Sequence, residues 1–136
     1  MSHATNYFEE LISRFFRTLA MVKPAAHYVA LFSTLPAEDG SGGVELSGGG
    51  YARVRHGPAD ANWNPIVGGN GILTNLSAVV FPTPTANWAD AVGFGIYDAA
   101  SAGNALILAP LETPLRVNLG DPAPAFAPGD LMITIA

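Results

Sequence analysis

The sequence predicts a mainly β protein, a jelly-roll-like β-sandwich preceded by one amphipathic α-helix. Apolar residues recur with a helical period only between residues 6 and 22, and after Pro24 they alternate with a period of two. The breaks between the alternating segments hold Gly, Pro, Asn and Asp, which are the residues that turns require. We therefore expect a helix and linker in residues 1–24 and the sandwich in residues 25–136, as one compact domain.

The helix is predicted over residues 6–22. Asn6 is in position to cap the first turn, with Glu9 completing a capping box. Glu10 and Arg14 are spaced for an i,i+4 ion pair, and Pro24 is expected to end the helix. One face of the helix carries six apolar residues: Phe8, Leu11, Ile12, Phe15, Phe16 and Leu19.

Eight short segments with period-two alternation follow the helix. A chain with this many short strands and no second helical pattern is typical of a sandwich, jelly roll or barrel. The Cys–Trp–Cys signature of immunoglobulin domains is missing, which favours the jelly-roll type, although the sequence does not specify the strand order. The predicted strands are Tyr28–Ser33, Tyr51–His56, Gly71–Asn75, Ser77–Phe81, Val92–Asp98, Ala105–Leu111, Leu115–Leu119 and Leu131–Ala136.

Two glycines lie within the predicted strand Val92–Asp98. Gly93 and Gly95 fall on the same face as Tyr97, and a glycine on a strand face usually marks a close neighbour. We expect Trp88, which precedes the strand, to cover them. The same strand and Ala105–Leu111 are predicted to form a hairpin.

The motifs of catalysis and of metal or cofactor binding are missing from the sequence. The three histidines have no metal-ligand spacing, and Ser47 lacks the Gly-x-Ser-x-Gly context of a nucleophile elbow. No phosphate-binding loop and no calcium-binding loop occur. We therefore expect a protein that is not an enzyme and that has no catalytic, metal or cofactor site. A small hydrolase whose carboxylates are assembled by the fold stays open as an alternative.

Charge is distributed unevenly along the chain. Residues 1–23 hold three basic and two acidic residues, for a net charge of +1, whereas residues 24–136 hold three basic and nine acidic residues, for −6. An acidic body disfavours nucleic-acid binding, and no apolar segment is long enough to cross a membrane. Only 12% of the residues are charged, which indicates a surface suited to packing against other subunits.

Two blocks of sequence carry a resemblance to a known family. The first reads YVALFSTLP, followed by GGVELSGGGYARV, and the second reads FPTPTANWADAVGFGIYDAASAGNALI. Together they resemble small structural proteins of tailed phages, over about residues 28–136. The resemblance implies a β-sandwich module of the virion and no catalytic residues.

The resemblance leads us to expect a capsid cement or decoration protein on the outer surface of a phage head, with the major capsid protein and itself as partners. A dimer is favoured over a trimer. The alternative is a tail-fibre or receptor-binding module that recognises a host surface glycan. The helix face (Phe8, Leu11, Ile12, Phe15, Phe16, Leu19) is the predicted self-association surface, and strand addition at a sheet edge is another expected contact mode. The predicted charged partner contacts are Arg14, Arg17, Glu38, Asp39 and Glu45.

Overall fold

The computed structural model describes residues 2–135. These residues form one α-helix and ten β-strands, and every strand pairing is antiparallel. In chain order the elements are β1 (His3–Ala4), α1 (Asn6–Phe16), β2 (Tyr28–Thr34), β3 (Val44–Glu45), β4 (Val54–Arg55), β5 (Ile72–Thr74), β6 (Val79–Val80), β7 (Ala91–Tyr97), β8 (Ala105–Leu115), β9 (Ala125–Phe126) and β10 (Met132–Thr134).

A six-stranded sheet is the framework of the fold. Its order is β1-β8-β7-β2-β3, and β4 pairs with the other end of β2. The long strands β2, β7 and β8 form its centre because their apolar residues are buried in continuous runs, in two apolar clusters. Two two-stranded ribbons, β5 with β10 and β6 with β9, complete the β structure. The predicted mainly β class, with one N-terminal helix, is confirmed.

The main core lies between one face of this sheet and the two ribbons. The sheet contributes Val29, Phe94 and Ile107, and the ribbons contribute Val79 and Ile133. Each of these side chains is almost fully shielded from solvent, and burial of such side chains is the principal stabilising term in folding. The two layers that a sandwich requires are therefore joined by a continuous apolar core.

The opposite face of the sheet carries a second, smaller apolar cluster, and it contains the two strand glycines. An added Cβ at Gly93 would lie 2.5 Å from a Leu35 side-chain atom, and one at Gly95 would lie 3.0–3.2 Å from Tyr97, Leu108 and Phe32. The close neighbours expected from the glycines are present. Trp88 is not among them, so that prediction is wrong: its indole packs against Gly49, with Nε1 donating to the Gly49 carbonyl at 2.7 Å.

Several predicted boundaries are also wrong. Tyr51–His56 contains only β4, Ser77–Phe81 only β6, and Leu115–Leu119 is not a separate strand because β8 runs unbroken to Leu115. The C-terminal strand is β10 alone, and Ala136 lies outside the described residues. Strands β1, β3 and β9 have two residues each, too few to show an alternating pattern in the sequence.

The helix is shorter than predicted, and its cap is different. Thr5 caps it in place of Asn6, so the residue at the third helical position is Phe8 and the predicted capping box with Glu9 does not form. The last helical residue is Phe16, and Thr18 adopts a left-handed backbone conformation with φ of 54°. The ion pair predicted between Glu10 and Arg14 is present at 3.4 Å.

Candidate subunit interface

The first turn of α1 is fixed to the sheet. The Thr5 hydroxyl accepts a hydrogen bond from the Phe8 N–H and donates to the Ala105 carbonyl, while the Thr5 N–H donates to the Leu106 carbonyl at 3.0 Å. Leu11 is buried in the main core and Phe8 packs against it. A capped and partly buried first half therefore holds the helix at the β1 edge of the sheet.

The second half of the helix leaves the body of the protein. Phe15 and Phe16 are 68% and 78% exposed, and Val22 in the segment that follows is 73% exposed. The two phenyl rings contact each other edge to face, with centroids 5.4 Å apart. We call the exposed apolar residues of this region the helix-end patch; they are Ile12, Phe15, Phe16, Leu19, Met21 and Val22.

Basic residues surround the helix-end patch. Arg14 and Arg17 both approach the Glu10 carboxylate, at 3.4 and 3.8 Å, and these exposed pairs contribute little to stability. Arg14 also donates to the Ala20 carbonyl, which holds the chain after the helix against it. With Lys23 included, three basic residues and one acidic residue lie between positions 10 and 23, for a net charge of +2.

A first groove, of about 410 Å³, lies beside the patch, and we call it the linker groove. Leu11 and Val22 line one side, and Trp63 and Ile133 line the other. Lys23 is at its border, and none of the described residues that line it is acidic. It extends the apolar surface of the helix-end patch onto the sandwich.

A second groove, of about 550 Å³, opens between β8 and β10, and we call it the acidic groove. Phe94, Leu111 and Phe126 form much of its apolar lining, and Glu112 and Asp130 add two carboxylates. No basic side chain is among the described residues that line it. It thus combines the two surface properties, apolar and negative, that match the helix-end patch.

The free edge of β8 borders the acidic groove. Within residues 2–135, β1 pairs with β8 only at Ile107 and Leu108, and β7 pairs with β8 up to Pro110 and again at Leu115, so residues 111–114 have no paired residue in either strand. Pro110 and Pro114 have no N–H to offer to an added strand. Prolines on an edge strand oppose strand addition, which disfavours that predicted contact mode at this edge.

A buried arginine joins the two blocks of sequence quoted above. Arg53, whose side chain is only 6% exposed, forms two hydrogen bonds of 2.8 Å with the Glu45 carboxylate. It also donates to the carbonyls of Ala99 and Ala102, and its guanidinium lies 4.0 Å from the centre of the Tyr97 ring. We call this group the Arg53 cluster; its members are Arg53, Glu45, Tyr51, Tyr97, Ala99 and Ala102. Such a bidentate, partly desolvated ion pair holds the loops on this face of the sheet together.

The pKa values of this cluster follow from its burial and pairing. Burial raises the pKa of the Tyr51 hydroxyl well above its usual value, and the hydroxyl donates to Glu45 at 2.9 Å. Burial by itself would lower the pKa of Arg53, but the hydrogen bonds and the negative charge of Glu45 raise it. Both groups therefore keep their protons at physiological pH and serve as fixed hydrogen-bond donors.

The predicted charged contacts occupy three different places. Arg14 and Arg17 lie on the exposed helix end, whereas the Glu45 carboxylate is bound by Arg53 within the chain. Glu38 and Asp39 line a small pocket of about 180 Å³. The Asp39 carboxylate accepts hydrogen bonds from the side chain and the N–H of Ser41, which lower its pKa. The fold does not bring these five residues together.

Sequence reasoning missed two buried polar residues that shape these surfaces. Arg53 was counted only as a charge, and Asn75 was given no role. The Asn75 amide, which is fully buried, donates to Ser77 and Ala127 and accepts from the Leu131 N–H. It thereby fixes the loop that carries Asp130 at the wall of the acidic groove. A polar residue at the end of an apolar strand is the only signal that the sequence offered.

Other kinds of site find little support in the described residues. No group of three or more His, Asp or Glu side chains in residues 2–135 is arranged to hold a metal ion. Every buried side-chain nitrogen or oxygen in the same residues has a hydrogen-bond partner. None of the helices described there is long and apolar enough to span a bilayer.

Comparison with known proteins adds one match. A family model described as "Podophage GP4 fiber I protein gp80" matches residues 3–134, which is nearly the whole chain. None of the curated proteins compared with the sequence matches it.

Proposed function

The chain belongs to the family described as podophage GP4 fiber I protein gp80, and from that premise we propose that it is a subunit of a phage tail fibre, held in the virion through its helix-end patch. A phage virion structural protein is what the family establishes. The position in the tail and the contact surface are the proposal.

The exposure of Phe15 and Phe16 is the observation that carries the proposed contact surface. Two adjacent phenylalanines with most of their surface in water are unfavourable in an isolated subunit, and exposed apolar patches of this kind mark sites of protein interaction. The first half of the same helix is capped and buried, so the helix is already ordered before a partner binds. A partner therefore gains apolar contact area at a small cost in conformational entropy.

The fibre interpretation replaces the capsid cement interpretation as the favoured one. Both are structural roles in a virion, and the family description names a fibre. Direct recognition of a glycan has less support in the geometry. Trp88 is buried against Gly49 and offers no free face on which a sugar could stack, and Trp63 is half-buried with its ring 4.9 Å from that of His56.

The proposed role involves no catalysis. Tyr51, whose pKa is raised most strongly, and Arg53 both donate hydrogen bonds to Glu45 of their own chain. Such a perturbed cluster is found in structural ion-pair networks as well as in active sites. In this chain Tyr51 and Arg53 donate their hydrogen bonds to Glu45 and to two carbonyl groups of the neighbouring loop.

The copy number in purified phage particles tests the proposed location. Quantitative mass spectrometry of intact particles, and of tails separated from heads, measures how many copies are present and where they lie. We expect few copies per particle, enriched in the tail fraction. A copy number comparable with that of the major capsid protein, retained on isolated heads, would contradict the fibre assignment and favour cement.

A further inference from the structure

We propose that copies of this protein associate head to tail, with the helix-end patch of one copy inserted into the acidic groove of the next. The inference deepens the proposed function, because it names the partner of the helix-end patch. Its occupant is a second copy of this chain. The sizes and the charges of the patch and the groove support this pairing, and the linker groove and the pocket at Glu38 and Asp39 are poorer partners.

The two surfaces agree in size. From the contact area of a phenylalanine, the exposed fractions of Phe15 and Phe16 leave roughly 200–350 Å² of ring surface to be covered. The acidic groove, at about 550 Å³, is within the range of cavities that enclose ligands larger than two phenyl rings. The partly buried ring of Phe126 provides aromatic surface against which the incoming rings can pack, and it lies 6.0 Å from the buried ring of Phe94.

The two surfaces are also complementary in charge. The helix end has a net charge of +2 from Arg14, Arg17, Lys23 and Glu10, and the groove has two carboxylates and no basic residue. When the two rings enter the groove, the arginines next to them in sequence come close to its rim. Glu112 is exposed there and is free of any ion pair with the described residues, so it is available to pair with an arginine.

The other grooves are poorer partners for this surface. The linker groove has Lys23 at its border and no acidic side chain among the residues of 2–135 that line it, so the arginines of an incoming helix end would be repelled. The pocket at Glu38 and Asp39 is acidic, but its volume of about 180 Å³ is too small for both rings. The acidic groove alone among these three is both large and negative.

The geometry of such an association has a consequence for assembly. The patch and the groove are different surfaces of one chain, so the contact is heterologous, and a pair of bound copies still offers one free patch at one end and one free groove at the other. Repetition gives a ring or an open chain of subunits. This differs from the closed dimer favoured by the sequence, in which two identical surfaces would meet.

Mixing two defective variants tests the inference. The patch variant carries Phe15→Ser and Phe16→Ser, and the groove variant carries Glu112→Arg and Thr113→Trp, which are exposed positions on β8. Analytical ultracentrifugation and native mass spectrometry should find concentration-dependent oligomers for the unmodified chain and a monomer for each variant. An equal mixture should give a one-to-one dimer and nothing larger, because only one intact patch and one intact groove remain.

Two matched controls separate this contact from general surface effects. Val67→Ser removes an equally exposed apolar residue from a different loop, and Asp60→Arg reverses an exposed acid that does not line the acidic groove. Both should associate like the unmodified chain. A monomeric unmodified chain would overturn the inference, and so would a groove variant that associates normally.

A pair of charge reversals guards against loss of folding in the first variants. Glu112→Arg alone, and Arg17→Glu alone, should each weaken self-association about tenfold, because each places like charges together. The chain with both reversals should recover most of the affinity. No recovery, with circular dichroism showing folded protein, would contradict the pairing. If the protein is found in tails but none of these results is obtained, the head-to-tail inference fails while the proposed function stands.

Discussion

The Arg53 cluster and the helix-end patch contain the same kinds of side chain, arginines beside aromatic rings, in opposite surroundings. Arg53 is buried, lies over Tyr97 and has its hydrogen bonds satisfied by its own chain. Arg17 is exposed next to Phe16, which has most of its ring in water. The first region has completed its contacts within the subunit, whereas the second exposes apolar surface that no contact within the subunit covers. Mutations should therefore affect folding in one region and assembly in the other.

The largest effect on stability is expected from Arg53→Met. The change leaves two carbonyl groups without their donor and the Glu45 carboxylate without its charged partner, although Tyr51 still donates to it, and removing one partner of a buried ion pair costs about 3 kcal/mol. Urea unfolding monitored by circular dichroism should show this loss. The matched control is Arg116→Met, since Arg116 pairs with Asp90 at 3.1 Å on the exposed surface, where solvent screens the pair and its loss should have a much smaller effect. Equal effects of the two changes would show that burial does not distinguish them.

A somewhat smaller loss is expected from Gly49→Ala. Gly49 has a φ of 59°, and a Cβ there would lie 2.8 Å from Cδ1 of Trp88, so backbone strain and crowding both oppose the change. We expect a loss of about 2 kcal/mol. Gly42→Ala is the control, because its φ of 74° imposes similar strain but nothing lies within 4 Å of the added atom. If thermal melting gives the same loss at both sites, the contact with Trp88 has no energetic role.

Acidification should weaken the fold by a smaller amount. Burial is the main cause of the lowered pKa values of His27 and His56 in the folded chain. As the pH falls below about 6.5, the unfolded chain therefore binds more protons than the folded chain. Stability that is present above that pH is lost as the pH falls through the lowered pKa of each folded histidine. Melting temperatures between pH 7.5 and 5 should decrease accordingly, and His27→Gln should reduce the slope. A melting temperature that does not change with pH, or that is higher at pH 5, would contradict the lowered pKa values of the two histidines.

The smallest effect on folding is expected from changes in the helix-end patch, which should have the greatest effect on assembly. Phe15→Ser with Phe16→Ser removes rings that are mostly in water already, so the free energy of unfolding of the dilute subunit should change by less than about 0.5 kcal/mol. The same variant should lose self-association, as measured by light scattering. Leu11→Ala is the contrasting change on the same helix, because Leu11 is buried and its loss should cost about 3 kcal/mol. A strongly destabilised Phe15 and Phe16 variant would mean that these rings belong to the subunit's own fold.

The sequence predicted those parts of the molecule whose structure depends on local pattern. The strands β2, β7 and β8 are predictable because each contains an apolar pattern that extends over seven or more residues. The helix is predictable because Phe8 and Leu11 begin its apolar face. The Thr5 cap was not found, since its hydroxyl is oriented by β8, about one hundred residues later in the chain. The hydrogen bonds of Arg53 with Ala99 and Ala102 also join residues far apart in the sequence, with separations of 46 and 49 positions.

The candidate interface shows a different limit of the sequence pattern. An apolar helix face at 3.6-residue spacing looks the same whether its partner is the core of its own chain or another molecule. In this chain the single face is divided, with Leu11 in the core and Phe15 and Phe16 in water. Where the helix leaves the sheet is decided by the packing of β8 against its neighbours, which no local pattern encodes.

Cryo-electron microscopy of the intact phage tests the central claim most directly, because it locates each copy and shows what covers each surface. We predict that the chain lies in the tail fibre, with Phe15 and Phe16 buried against a neighbouring protein and with the Arg53–Glu45 contact unchanged. A chain bound to the outer surface of the capsid, or a tail-bound chain whose Phe15 and Phe16 remain in solvent, would contradict the account.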